Sequence, residues 1–358
     1  MLIQSGMDFN IRFKVLDPDA HAPCSTISEF IQGKLTDFDT VINFGTSCDV
    51  ITIEIENVNT NALKELVKRG KRVYPQPEVI ELIQDKRAQK KFYKENGIPT
   101  AEFVLVENAA DVRRNASFLP GVNKLGREGY DGRGVQIIET PQDLEKAFDA
   151  PGLLEKLVPF EKEIAVIVAR NEEGSVQTFP AVEMVFHPVQ NLVEYLFAPV
   201  ELSEEIQNTA DGIARTLIQK LQMVGILAVE MFVTRDGLVL VNEIAPRPHN
   251  SGHQTIEANV TSQYEQHLRA ILGAPLGDTR QILPSAMVNL LGEPGFEGLA
   301  RYEGLDEILT IPGVHVHLYG KRATKPFRKM GHVTIVDEDP ESLKNKAIFV
   351  KKTLKVIA

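Results

Sequence analysis

The 358-residue chain has no tryptophan and only two cysteines, Cys24 and Cys48. Neither cysteine sits at a metal-ligand spacing. Two such thiols argue for a reduced, cytoplasmic protein in which they are small buried hydrophobes. No apolar run is long enough to span a bilayer, and the start MLIQSGMDFNIRF lacks the basic and apolar regions of a secretory signal. Basic charge is also short. With 39 Lys and Arg against 49 Asp and Glu the net charge is −10, which argues against a general nucleic-acid or membrane-surface binder and leaves room only for a local basic site. Repeats and low-complexity tracts are absent. What remains is an ordinary soluble composition, long enough for two or three domains with their own cores.

Short apolar runs alternate with helical ones over residues 1–76. Helix is predicted at Met1–Met7 and Asn61–Arg69, and strand at Ile11–Leu16, Val50–Ile55 and Arg72–Tyr74. This is an open, parallel α/β unit. A helix Val79–Asn96 stopped by Gly97 and Pro99 follows. The middle of the chain reads as α+β: strands at 101–108, 121–125, 135–139, 162–170, 177–186 and 192–200, then a helix from Ser203 to Gln222 with Glu204 and Glu205 in its first turn. Between Lys124 and Val135 lies Gly126-Arg127-Glu128-Gly129-Tyr130-Asp131-Gly132-Arg133-Gly134, with four glycines in nine residues. Such a loop is either a plain hairpin turn or a backbone cradle for phosphates, and the neighbouring lysine and arginines favour phosphate.

The segment Leu227–His253 carries the sharpest local signal. Asp236-Gly237 between two apolar runs predicts a hairpin with a two-residue turn. That register pairs Thr234 with Val239, Phe232 with Val241 and Glu230 with Glu243. Two carboxylates opposed across a ladder repel each other. They either point into water or hold a hard cation such as Mg²⁺. The polar run Asn242-Glu243 to Pro246-Arg247-Pro248-His249-Asn250 favours a site. Helix 262–272, strands 287–291, 314–319 and 332–336 and helix 341–354 complete the chain. His315 and His317 read as a satisfied or exposed pair. Lys321-Arg322-Ala323-Thr324-Lys325-Pro326-Phe327-Arg328-Lys329 places five cations in an acidic chain, as a solubilising loop or as a phosphate site.

Together these features resemble the ATP-grasp superfamily, and within it the 5-(carboxyamino)imidazole ribonucleotide synthases of purine biosynthesis. Gly129–Gly134, the run Asn242-Glu243-Ile244-Ala245-Pro246-Arg247-Pro248-His249-Asn250-Ser251-Gly252-His253, and Pro326–His332 carry the resemblance, which extends over nearly the whole chain. It implies a Rossmann-like preATP-grasp domain (1–76), an ATP-grasp domain (77–273) and a small β-rich C-terminal domain (274–358). The implied reaction carboxylates 5-aminoimidazole ribonucleotide with ATP and bicarbonate, through carboxyphosphate. The implied metal is Mg²⁺, with Mn²⁺ as an alternative, on Glu230 and Glu243. ATP would be met by Lys86, Lys124, the loop Gly129 to Gly134 with Tyr130, Asp131, Gly132 and Arg133, the hinge Glu155, Lys156, Leu157 and Val158, then Glu163, Asn242 and Glu243. Tyr130, Arg247, His249 and Asn250 would be catalytic. Asp131, Arg247, Lys321, Arg328 and Lys329 would hold the ribonucleotide. A homodimer is expected by family analogy.

Four departures from the family pattern stand out. The family opens with a strand and a GGGQLG-like turn, and this sequence starts just after the matching point, either because its start falls at an internal Met or because the first strand is absent. Glu128 and Phe327 replace glycines. Met184, Phe186 and His187 stand where an Asn-x-His nucleotide contact is common, so that role is not carried over. Rival readings are a formate-dependent glycinamide ribonucleotide transformylase, a biotin carboxylase-like enzyme, or a nucleotide-binding protein without catalysis. The HNSGH run and the basic loop oppose the first two. Lys124, Glu230 and Glu243 oppose the third.

Overall fold

The computed structural model describes residues 1–127, 134–186 and 192–358. In the N-terminal region Lys14–Asp17 pairs in parallel with Glu29–Gln32, and Val50–Ile51 in parallel with Arg72–Val73, as two separate sheets. Helices Phe38–Thr46 and Thr60–Lys68 cover them, packing Val41, Ile42, Leu63 and Leu66 against Ile51 and Val73. The strand Glu29–Gln32 and the helix Phe38–Thr46 escape the sequence reading. The predicted strands 11–16 and 50–55 are each shorter than expected.

The predicted helix Val79–Asn96 is two helices, Pro77–Ile83 and Lys86–Glu95. Asp85 caps the second, its carboxylate accepting from the Arg87 N–H at 2.9 Å. The Gln84 amide leaves the first and donates to the carbonyls of Glu56 and Val58 at 2.7 and 2.9 Å. The break makes Lys86 the first helical residue, and its N–H donates to the Gly126 carbonyl at 2.8 Å.

A small lobe follows, a four-stranded antiparallel sheet in the order Phe103–Val106, Gly152–Lys156, Gly121–Leu125, Val135–Ile138. Gly152 is required there: a Cβ would lie 2.2 Å from the Lys124 carbonyl oxygen. That close approach holds the lysine strand against the hinge strand.

The large lobe and the C-terminal region share one sheet. Its order is Val239–Ala245, Gly225–Thr234, Phe160–Arg170, Val182–Phe186, Val193–Ala198, Ser285–Leu291, Lys329–Val336, Val314–Leu318. The predicted strand 177–186 is split by Pro180, which cannot donate to a ladder, into Val176–Thr178 and Val182–Phe186. Met184 is buried in a core cluster with Leu196 and Met287, and Phe186 packs on that cluster. His187 and Glu128 lie outside the described residues. Helix Glu204–Lys220, capped by Ser203, buries Ile213, Leu217 and Ile218 behind the large-lobe strands. Helix Pro340–Thr353 covers the C-terminal strands.

The hairpin differs from its predicted form in an instructive way. Of its turn residues only Gly237 has positive φ, +83°, and the Thr234 N–H donates to the Leu238 carbonyl at 3.0 Å. The loop is therefore three residues, Arg235 to Gly237, rather than two. The ladder near the tip is one residue off prediction, with Val233 opposite Val239, Phe232 opposite Leu240 and Met231 opposite Val241. A β-bulge then inserts Asn242 and restores Glu230 opposite Glu243. Two departures cancel, and the carboxylates face each other as predicted.

Candidate active site

The bulge explains why consecutive residues serve one site. Adjacent residues on a regular strand point to opposite faces, whereas a bulge re-aims a side chain. Here Asn242 and Glu243 both reach the cleft between the lobes. Glu243 pairs with Lys86, and the Asn242 carbonyl oxygen accepts from Lys124 Nζ at 3.1 Å. The Asn242 amide donates to Glu163 Oε1 at 3.4 Å. Lys124 also pairs with Glu155 at 2.8 Å. A small, partly open cavity is lined by Lys86, Lys90, Lys124, Glu155, Asn242 and Glu243 among others. Six of the predicted nucleotide residues, Lys86, Lys124, Glu155, Glu163, Asn242 and Glu243, are thus linked by contacts.

Glu230 stands opposite Glu243. Burial, then the Glu243 and Glu163 charges, push its carboxyl up to about 8. Burial raises Glu163 to about 7, against its hydrogen bond from Asn242. Both shifts come first from burial; neighbouring carboxylates add to it strongly at Glu230 and least at Glu163. His249 Nε2 lies 3.5 Å from Glu230 Oε1. The Ser251 N–H donates to His249 Nδ1 at 3.3 Å, which leaves the ring proton on Nε2, facing Glu230. Burial, then the charges of Arg247 and Lys329, hold His249 neutral, well below the usual histidine range.

The loop bearing His249 is fixed by a residue the sequence reading missed. Gln263, fully buried, accepts from the His249 N–H and donates to the His249 carbonyl, both at 2.8 Å. Glu56 is a second omission. It pairs with Arg247 at 2.7 Å and so presents that guanidinium from the N-terminal region. Lys90, paired with Glu155 at 2.6 Å, is a third. Asn250 opens the short turn Asn250–Gly252 beside them.

Other predicted residues are placed less directly. Lys156 pairs with Glu102 at 2.7 Å on the surface, and Leu157 is partly exposed. The backbone N–H groups of both already donate, to the carbonyls of Glu102 and Pro120, while the Val158 carbonyl accepts from Phe160. Gly134, with φ of +73°, closes the strand pair through its carbonyl to the Leu125 N–H at 2.9 Å. Gly129, Tyr130, Asp131, Gly132 and Arg133 lie outside the described residues.

In the basic loop Lys321 donates to the Lys329 carbonyl at 2.7 Å and lies over the Tyr319 ring. Arg328 donates to the Ala323 carbonyl of its own loop at 2.7 Å. Lys329 acts electrostatically on Glu230, His249 and His253, which joins the loop to the carboxylate end of the cleft. Phe327 has φ of +63°, a left-handed conformation that glycine adopts at less cost, at the position where the resemblance expects glycine. His317 pairs with Glu257 at 2.7 Å and stacks on His332, whereas His315 is exposed. The sequence reads them as a satisfied or exposed pair; the structure separates them, with His317 satisfied and His315 exposed.

Comparison with known proteins identifies the family. Residues 1–84 match the ribonucleotide synthetase preATP-grasp domain, 91–264 the ATP-grasp domain and 285–346 the phosphoribosylaminoimidazole carboxylase C-terminal domain. The N5-carboxyaminoimidazole ribonucleotide synthase of Synechococcus elongatus is 38% identical over 94% of the chain and 86% of that protein. The chain spans about two thirds of the length of the longer relatives called phosphoribosylaminoimidazole carboxylase. Among solved structures, the N5-carboxyaminoimidazole ribonucleotide synthetase of Thermotoga maritima superposes with a TM-score of 0.91 at 42% identity, covering 100% of this chain and 96% of that one. The Aspergillus clavatus enzyme in complex with ADP and 5-aminoimidazole ribonucleotide gives 0.88 at 32% identity, covering 98% and 95%. On these matches the chain belongs to the N5-carboxyaminoimidazole ribonucleotide synthases, ATP-grasp ligases of purine biosynthesis.

Proposed function

We propose the following division of labour for the ATP-dependent carboxylation of 5-aminoimidazole ribonucleotide. ATP lies between the lobes, its phosphates against Lys86 and Lys124, its adenine along the hinge 155–158 and its ribose hydroxyls at Glu163. The observation that carries this reading is the Glu230–Glu243 opposition beside Lys86, from the helix Lys86–Glu95, and Lys124, from the small lobe. Two opposed carboxylates fit Mg²⁺, or Mn²⁺, when phosphate oxygens complete the shell. When bound, the ion would neutralise charge developing on the transferred phosphoryl group.

Bicarbonate is a poor electrophile. Its oxygen attacks the γ-phosphorus, ADP leaves, and carboxyphosphate forms. The exocyclic amine of the ribonucleotide then attacks the carboxyl carbon, phosphate leaves and the nitrogen gives up a proton. The neutral Nε2–H of His249, with Arg247 and Asn250, orients the carboxyl oxygens. Arg247 is pre-aligned by Glu56. Lys329, with Lys321 and Arg328, receives the 5′-phosphate. The parts assigned to Tyr130, Asp131 and the other loop residues 129–133 rest on the sequence resemblance. The working units are 1–76, 77–273 and 274–358. The partners are ATP, bicarbonate and the aminoimidazole ribonucleotide, with no nucleic acid or membrane, in a cytoplasmic homodimer.

The purified protein hydrolyses ATP only when bicarbonate and 5-aminoimidazole ribonucleotide are both present. Nucleotide binding without such turnover would sink the reading. Lys329→Ala raises KM for the ribonucleotide about tenfold or more, as loss of a charge-assisted contact to phosphate requires, with little change in KM for ATP. The opposite pattern would move Lys329 out of the phosphate site.

A further inference from the structure

Lys90 has no part in the scheme above, yet it is among the most buried charges of the described residues. Its side chain is 5% exposed, and it touches Glu155, whose side chain is 4% exposed. The two oxygens of Glu155 are shared: Oε1 meets Lys90 at 2.6 Å and Oε2 meets Lys124 at 2.8 Å. Lys90 sits one helical turn after Lys86 on the same face of Lys86–Glu95. It also contacts the Thr100 hydroxyl, which donates to the Val241 carbonyl at 2.7 Å, next to the bulge. Lys90 therefore joins the hinge strand, the small lobe and the strand bearing Asn242 and Glu243.

The charge arithmetic gives this contact a purpose. Lys124 paired with Glu155 alone would form a neutral couple, and its attraction for a triphosphate would be largely cancelled. A second lysine on the same carboxylate leaves the three groups with one net positive charge. Lys90 also lines this cavity, but its side chain is only 5% exposed and is held on Glu155 and Thr100, so the surplus is expressed mainly through Lys124, which is 13% exposed and also faces Asn242. Burial opposes charge on all three. The lysines nevertheless hold Glu155 below the usual carboxylate range, and Glu155 holds Lys124 above the usual lysine range. For Lys90 burial outweighs the pull of Glu155 and lowers it.

We propose that Lys90 is a positioning residue for nucleotide binding: by occupying one oxygen of Glu155 it keeps Lys124 oriented and in excess positive charge toward the phosphates. The proposal rests on the ATP site assigned above.

The test is ADP affinity, measured by calorimetry on the full chain, for the wild type, Lys90→Met, Glu155→Gln and the double variant. Lys90→Met removes the charge and nearly keeps the shape, and should weaken ADP binding at least tenfold. Adding Glu155→Gln removes the counter-charge and should return affinity to within about threefold of wild type. A wild type that fails to bind ADP refutes the nucleotide site itself. With wild-type binding intact, undiminished affinity in Lys90→Met overturns the proposal. So does a double variant no tighter than the single one. If neither variant folds, Lys90 is a structural strut and the proposal also fails.

Discussion

Glu243→Gln leaves the protein folded and lowers kcat by about 10²–10³-fold, the scale seen when one group that stabilises transition-state charge is removed. The substitution keeps shape and removes one of the two carboxylates that face each other on the ladder. It also frees Lys86 from its ion pair, so the basic side of the cleft is unchanged in charge and less restrained. ADP binding in the absence of metal should therefore persist or strengthen, while turnover with Mg²⁺ collapses. Steady-state kinetics beside a far-ultraviolet spectrum and an unfolding curve check both halves. Loss of the folded spectrum would make the pair a structural feature and remove the carboxylates from the chemistry.

Glu230→Gln should stabilise the nucleotide-free protein, by an amount that depends on pH. Glu230 titrates near 8 in the folded chain because of burial and the Glu243 and Glu163 charges, against 4.5 for an unperturbed glutamate. An acid whose folded value is raised binds a proton in the folded state that the unfolded state has released. Its contribution is intact below the unfolded value and is lost as pH climbs towards the folded one. Glutamine escapes that loss. The gain should be negligible near pH 4, grow through pH 5–8 and level off above, on the order of 5 kcal/mol. Unfolding midpoints at pH 4.5, 6.5 and 8.5 read it out. A gain of equal size at all three would assign the effect to packing, and a loss would mean that Glu230 has a cation partner in the resting protein. The same variant should be inactive, so stability and activity move in opposite directions at one residue.

How legible this protein is from its sequence depends on the range of the interaction. The carboxylate pair is legible because a Gly-containing turn lies midway between its members. The ladder spreads that local signal outward, and the bulge corrects the register error made at the turn. The paired helices at 77–95 were misread because apolar spacing continues across Gln84 and Asp85, and their capping chemistry is visible only once Asp85 is read as a stop rather than as a charged helix face. Glu56, Lys90 and Gln263 were missed for another reason. Each is a polar residue whose meaning is a partner elsewhere, as with Glu56 and Arg247, 191 positions apart. Periodicity carries no information about such contacts. The residues proposed for the nucleotide half of the cleft were legible as local runs of sequence. The supports beneath it were not.

The hairpin that carries the carboxylates is also the outer edge of the large sheet. An edge strand offers a row of open amides and carbonyls on which another chain can pair. Here Thr100 makes a parallel bridge to Val241, the Val241 N–H donates to the Pro99 carbonyl at 2.8 Å, and the extra residue Asn242 breaks the ladder immediately beyond. The irregularity that turns Asn242 and Glu243 into the cleft also denies a neighbouring molecule a straight template. Smoothing this strand to gain regularity would then open the sheet edge to pairing and turn Asn242 and Glu243 out of the proposed site together, because one misfit residue serves both.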